Sequence, residues 1–211
     1  GPYFLTASLY GTSLVSLNAG ARAFAYTAPS GYKSLNTANL PEPTIADGSQ
    51  YFDTKLWTGN GSTQTISSLN FSPDWTWLKK RSGAADHYLY DQVRGATNRL
   101  YSNTTAAEST SSTGLTAFTS DGFSLGNAND VNQSSNTYVS WNWDAGTSTV
   151  TNNDGSIAST VRANPSAGFS IVSWTGNSIA GATLGHSLSA SPKMIIVKNR
   201  SRGTYGDWVI G

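Results

Sequence analysis

Apolar residues along this chain come in short runs, each closed by Gly, Asn, Asp, Ser or Pro, and they almost never recur at helical spacing. That pattern predicts short strands joined by turns. In the opening segment Tyr3–Tyr10, Ser13–Leu17 and Arg22–Tyr26 read as strands, followed by Pro29-Ser30-Gly31-Tyr32 and Leu40-Pro41-Glu42-Pro43. Paired prolines remove backbone donors and hold their neighbours extended, so a boundary is expected at about residue 45. Beyond it Tyr51–Trp57, Asp74–Lys80 and His87–Val93 are expected strands, and Asn60-Gly61 is the strongest hairpin signal. Leu115–Phe118 and Gly122–Leu125 flank Asp121-Gly122 as a second hairpin. The Ser/Thr tract Thr104–Thr113 reads as a surface loop, with room for one helical turn at Ala106-Ala107-Glu108. Asn136–Asp144 alternates most cleanly. Val139, Trp141 and Trp143 are expected to face the core, and Tyr138, Ser140 and Asn142 the wetter side. A polar link, Thr147–Asp154, leads to four more strands at Ile157–Ala163, Gly168–Trp174, Met194–Lys198 and Asp207–Ile210.

Three ordered blocks of this pattern occur twice. Tyr51-Phe52 through Trp57-Thr58-Gly59-Asn60 returns as Gly168-Phe169 through Trp174-Thr175-Gly176-Asn177. Ser72-Pro73-Asp74-Trp75 through Lys79-Lys80-Arg81-Ser82 returns as Ser191-Pro192-Lys193-Met194 through Lys198-Asn199-Arg200-Ser201, and His87-Tyr88-Leu89 matches Asp207-Trp208-Val209. The separation drifts from about 117 to about 120 residues, as small loop insertions between two copies of one unit would produce. The second copy has no counterpart of Leu115–Trp143. An incomplete sandwich leaves apolar faces and edge donors bare, so burial by other segments or chains is expected around Phe169, Trp174, Ile195 and Val197.

Composition refines this picture. Charged residues are only 12% and the net charge is +1, which disfavours a duplex nucleic acid or an anionic membrane as partner. Low charge with 11% aromatics and seven Trp is unlike a disordered chain, since each buried aromatic contributes a large apolar area. The basic run Lys79-Lys80-Arg81 reads as a solvated strand end. With no Cys there is no disulfide, thiolate metal site or Cys nucleophile. No apolar run is long enough to span a membrane as a helix. The opening Gly1-Pro2-Tyr3-Phe4, without an initiator Met, and the close inside an apolar run at Asp207–Gly211 suggest an excerpt of a longer polypeptide.

Candidate chemistry is sparse. The two His, His87 among aromatics and His186 in a turn-rich stretch, read as structural or surface residues, and no nucleophile elbow, phosphate loop or His-Glu-x-x-His motif is present. Glycoside hydrolysis needs a spaced pair of carboxylates. The only Glu are Glu42 and Glu108, most Asp sit at turn positions, and Asp74, Asp86, Asp91 and Asp144 form no pair on a common strand face. Asn127-Ala128-Asn129-Asp130 and Asn152-Asn153-Asp154-Gly155 carry oxygen ligands suited to calcium, but plain turns are the expectation. No catalytic, metal or cofactor site is assigned. Aromatics on a polar β scaffold also stack on sugars. Trp57, Trp141 and Trp143 are expected in the core, leaving Trp75, Tyr88 and Tyr90 as candidate binding residues.

The stretch from Ala21-Arg22-Ala23-Phe24-Ala25-Tyr26 to Asn39-Leu40-Pro41 resembles the closing strand and exit of a SPRY-like domain of concanavalin-type β-sandwich fold, common in large virion proteins of tailed phages. The repeat after it resembles an uncharacterised domain of the same proteins. The likeness lies in Ser72-Pro73-Asp74-Trp75, Tyr88-Leu89-Tyr90-Asp91 with Arg94-Gly95, Ser120-Asp121-Gly122-Phe123 and Tyr138-Val139-Ser140-Trp141-Asn142-Trp143. It implies a non-enzymatic structural or adhesive component of a tail or capsid fibre. The component would lie on the virion surface, paired with copies of itself or other virion proteins in a homo-oligomer and touching host glycans. The glucanases of that fold carry alternating Glu and Asp on one strand, a cluster missing from this sequence.

The expected fold is thus all-β, with concanavalin-like or jelly-roll-type sandwich units in tandem. Residues 1–45 would end a SPRY-like domain, 46–146 form a complete repeat and 147–211 begin a second. A glycan depolymerase and a secreted bacterial adhesin or lectin are the competing functional classes.

Overall fold

A computed structural model describes residues 10–12, 14, 16, 18, 22–27, 29–33, 40 and 43–211. Apart from isolated positions, the expected strands Tyr3–Tyr10 and Ser13–Leu17 and much of the SPRY-like stretch lie outside the described residues. The chain divides into two units, Gly1–Ala46 and Asp47–Gly211. In the first, Arg22–Tyr26 is a bend and not the expected strand. Asn18 accounts for this locally: its Oδ1 accepts the Arg22 N–H and its Nδ2 donates 2.9 Å to the Arg22 carbonyl, so a side chain takes the groups a ladder would use.

In the second unit the periodicity resolves into β1 (Phe52–Thr58), β2 (Gln64–Ile66), β3 (Trp75–Lys80), β4 (His87–Asp91), β5 (Asn98–Tyr101), β6 (Ser109–Thr110), β7 (Leu115–Thr119), β8 (Gly122–Leu125) and β9 (Thr137–Trp143), with one helical turn, α1 (Asn129–Asn132), before β9. Then come β10 (Thr149–Asn152), β11 (Ser159–Asn164), β12 (Phe169–Trp174), β13 (Ile196–Lys198) and β14 (Trp208–Ile210). The fold is an all-β sandwich of antiparallel sheets with no closed barrel. β10 falls in the expected polar link because its threonines and Val150 find a ladder on β11, with Val150 opposite Val161. Ala106-Ala107-Glu108 forms no helical turn.

A six-stranded sheet, ordered β1-β9-β3-β4-β5-β6, stacks on a three-stranded sheet, β2-β8-β7. Trp57, Ile66, Leu78, Tyr88, Tyr90, Leu115, Phe123, Leu125, Val131 and Tyr138 form the core between them. Trp57 anchors it. Its ring stacks on Tyr138 at 5.4 Å, meets Phe123 edge-on at 5.8 Å, and its Nε1 donates to the Val131 carbonyl. The β7–β8 hairpin closes at Asp121 as expected, whose Oδ2 accepts the Ser68 N–H. Asn60-Gly61 does not make a hairpin: β1 pairs with β9 and β2 with β8, so this turn carries the chain from one sheet to the other. The long-range Gly61 N–H to Asn132 carbonyl bond fixes it there.

β9 faces the opposite way from expectation. Tyr138, Ser140 and Asn142 are fully buried, whereas Val139, Trp141 and Trp143 lie half-buried on the outer side. The polar inner positions are satisfied among themselves. Thr76 Oγ1 donates to Asn142 Oδ1 at 3.1 Å, and Asn142 Nδ2 donates to Ser140 Oγ and the Asp53 carbonyl. A small polar group with all its partners in place is buried at little cost, and a hydrophobicity scale cannot register that.

β12, β13 and β14 are the counterparts of β1, β3 and β4. Val197 pairs with Val209 and Lys198 with Trp208, as Leu78 pairs with Tyr88 and Lys79 with His87. The last block of the repeat therefore aligns one residue further on, with Asp207 in the place of Asp86, Trp208 in that of His87 and Val209 in that of Tyr88. The second copy rests on the outer face of the first. Phe169 packs on Trp75 and Trp143, Lys198 Nζ donates to the Thr105 carbonyl, and Trp208 Nε1 donates to the Tyr101 carbonyl. Glu108 accepts from both Arg94 and Arg200, and the buried Asp74 pairs with Arg162 of β11 at 2.6 Å.

Candidate functional site

Alternation on three adjacent strands puts Phe52 of β1, Val139, Trp141 and Trp143 of β9, and Trp75, Trp77 and Lys79 of β3 on the side of the large sheet opposite the core. Register brings the rings together: Trp75 lies opposite Trp143, and Trp77 opposite Trp141. Ring centroids run 4.8 Å from Phe52 to Trp143, 4.6 Å on to Trp75, 6.1 Å to Trp77 and 5.9 Å to Trp141, nearly all tilted or edge-on. Phe169 of the second copy covers one end of this row, at Trp75 and Trp143. The other end is open. There Trp77, His87, Trp141 and Trp143 line a hollow of about 220 Å³.

Trp77 Nε1 donates to His87 Nδ1 at 3.0 Å. The imidazole therefore carries its proton on Nε2, which makes it a neutral donor beside two half-exposed indoles. Burial, with the Lys79 charge, holds His87 below its ordinary value, against the pull of Asp86. The sign follows from that depression: the Trp77–His87 bond stabilises the folded chain above the ordinary histidine pKa and is lost as pH falls through the lower folded value. The His87 backbone N–H donates to Asn103 Oδ1, and Asn103 Nδ2 donates to Asp86. This is an apolar platform with one oriented polar donor, suited to stacking and hydrogen bonding.

The expected binding residues divide. Trp75 belongs to the row, at its covered end. Tyr88 and Tyr90 do not: both are buried in the core, and Arg99 lies over the Tyr88 ring at 5.0 Å while forming an ion pair with Asp130. They lie on the inner face because they pair with Leu78 and Thr76. Trp57 is in the core, but Trp141 and Trp143, expected beside it, line the outer hollow. Trp77 and His87 were not anticipated as a site. The signal lay in two Trp-x-Trp pairs, Trp75/Trp77 and Trp141/Trp143, spaced by small polar residues able to satisfy one another inside.

The carboxylates hold structure together. Asp74 pairs with Arg162 and accepts the Ala145 N–H at 2.7 Å, Asp91 pairs with Arg94, Asp144 accepts from the Gly146 N–H and Asn164, and Asp86 accepts from Asn103. Burial pushes the Asp74 carboxyl up to about 6, with the Ala145 amide and Arg162 pulling the other way. Burial also works against the Glu108 carboxylate, but Arg200 and Arg94 together hold it below its usual range. Among the described residues no three His, Asp or Glu side chains gather as a metal set. Asn152 instead accepts the Asp154 N–H in a turn, and the Asn129 carbonyl accepts the Tyr138 hydroxyl. His186 Nδ1 accepts the Leu188 N–H. Among the described residues no helix is long and apolar enough to cross a membrane.

Residues 47–211 match the profile of a domain of unknown function, DUF7483. No curated protein and no solved structure matches the chain.

Proposed function

We propose that this chain, which belongs to the DUF7483 family, is a non-enzymatic adhesive module of a phage virion appendage that touches host surface glycans through its outer tryptophan row. The observation that carries this reading is the open hollow at Trp77, His87, Trp141 and Trp143. Half-buried indoles lining an open hollow, beside a neutral imidazole donor, match the apolar faces and hydroxyl rims of sugar rings. The engagement of Asp74, Asp91, Asp144 and Glu108 in structural pairs supports a binding role over hydrolysis. The virion setting rests on the sequence resemblance of the repeat and its preceding segment, and an oligomer of such modules would multiply weak single-site affinity.

Titration of host surface polysaccharides, read by tryptophan fluorescence, tests the site. Trp141→Ala is expected to weaken binding at least about tenfold while the chain still folds, because Trp141 lies on the outer face and outside the core cluster. Unchanged binding in Trp141→Ala, or release of reducing ends on incubation with the polysaccharide, would overturn the reading.

A further inference from the structure

The pleat divides the basic run Lys79-Lys80-Arg81. Lys80 lies opposite Tyr138 on the core side, and its Nζ donates to Gln133 Oε1. Lys79 is the next outward position after Trp77, opposite Val139 on β9 and His87 on β4. The Arg81 N–H donates to the Thr137 carbonyl, which keeps the chain in line with β9 for one more residue and gives Arg81 the side of Lys79. At its open side, therefore, the outer tryptophan row ends in two cations.

Neither cation is matched. Among the described residues the ion pairs engage other basic side chains, and no carboxylate pairs with Lys79 or Arg81. Lys79 Nζ donates to the Lys80 carbonyl at 2.7 Å, which leaves two of its three N–H donors for a ligand. The outward positions beside this end on the neighbouring strands, Leu56 and Thr58 of β1 with Val139 and Thr137 of β9, are all uncharged. Asp86, just before β4, accepts from Asn103, and its charge acts on His87 against that of Lys79. A half-buried ammonium without a counter-ion carries a desolvation cost that a bound anion offsets.

We infer that the hollow takes an acidic saccharide, whose ring lies on Trp77 and Trp141 and whose carboxylate or sulfate group reaches Lys79 and Arg81. His87 Nε2, protonated because Nδ1 accepts from Trp77, donates to a sugar hydroxyl. The inference rests on the glycan reading and adds to it the class of sugar. Hydrogen bonds from a cation to an anion are roughly twice as strong as neutral ones, so the charged group decides which sugars are held. With a net charge of only +1, the chain as a whole gives a polyanion little to bind, and a preference for acid must come from this end of the row.

Tryptophan fluorescence of the whole chain is followed during titration with trigalacturonate and its fully methyl-esterified form, and with a galactose trisaccharide carrying or lacking 6-sulfate groups. The acidic member of at least one pair is expected to bind at least about tenfold more tightly than its neutral counterpart, and the gap to narrow in high salt. The pair with the larger gap identifies the anion. Arg81→Gln, at an exposed position, should narrow that gap, and Lys79→Gln combined with it should abolish it. Trp141→Ala should weaken both members of the pair. Equal binding of acidic and neutral sugars, or a gap that survives the double substitution, would overturn the inference and leave the glycan reading standing. Failure of all four sugars to bind would overturn both.

Discussion

Trp57 and Trp174 stand at equivalent places in two copies of one strand, yet the first is 8% exposed and the second 38%. Leu78 is fully buried and Val197 half-buried, and Tyr88 is 6% exposed where Val209 is 62%. The β13–β14 pair has the same register as β3–β4. Local sequence thus suffices for the ladder. Burial here comes with the facing sheet and β9, which among the described residues pack on the first set of strands alone, so an apolar residue's environment is a property of the assembled sandwich and not of the strand that carries it.

Paired substitutions should expose this asymmetry, and the largest effect is expected at the tryptophans. Trp57→Ala removes a ring packed on Tyr138 and Phe123 and should cost about 3–5 kcal/mol in urea denaturation. Trp174→Ala should cost less than about 1 kcal/mol. Equal penalties would mean that the second copy has a core of its own.

Asp74 and its counterpart Lys193 come next, because the first is fully buried and the second exposed. Arg162→Met leaves the Asp74 carboxylate unpaired and should cost about 3 kcal/mol at pH 8, whereas Lys193→Ala should cost within about 0.5 kcal/mol. The folded Asp74 value of about 6 lies above the ordinary 3.8, so the protonated acid is the form the fold prefers. Its contribution to stability is fully present below 3.8 and lost as pH rises through about 6. The Arg162→Met penalty should therefore shrink at pH 5, and a penalty that does not change with pH would contradict the assignment.

The smallest effect separates two glycines. A Cβ on Gly59 would lie 2.2 Å from the Gln133 carbonyl oxygen, whereas one on Gly176 would meet nothing within 4 Å. Gly59→Ala should cost about 1–3 kcal/mol and Gly176→Ala close to nothing, or stabilise slightly, in the same denaturation assay. If Gly176→Ala proves as damaging as Gly59→Ala, the open space around Gly176 would be contradicted.

Most strands of the second unit were legible from alternation and turn residues, and β13–β14 has the register of β3–β4 with the last sequence block shifted by one residue. The strands that were missed, β2, β5, β6 and β10, are two to four residues long and polar, and only a partner strand makes them extended. The candidate site was legible in its parts and not in its orientation. Trp141 and Trp143 were expected inside because large apolar rings gain most from burial. Thr76, Ser140 and Asn142 reversed that, since each finds its hydrogen-bonding partner only when β1, β9 and β3 are side by side. Tyr88 and Tyr90 were drawn inside by the same geometry, through register with Leu78 and Thr76.

By itself the sequence determined an all-β chain and where most of its strands fall, because strand periodicity and turn chemistry are written over a few neighbouring residues. Tertiary structure alone decided which face of β9 is the inside, which tryptophans lie on the outer face, and which strands pack into the core. Those outcomes depend on contacts between residues far apart in the chain, such as Trp57 with Tyr138 or Asp74 with Arg162, and burial and polar satisfaction exist only once such contacts have formed.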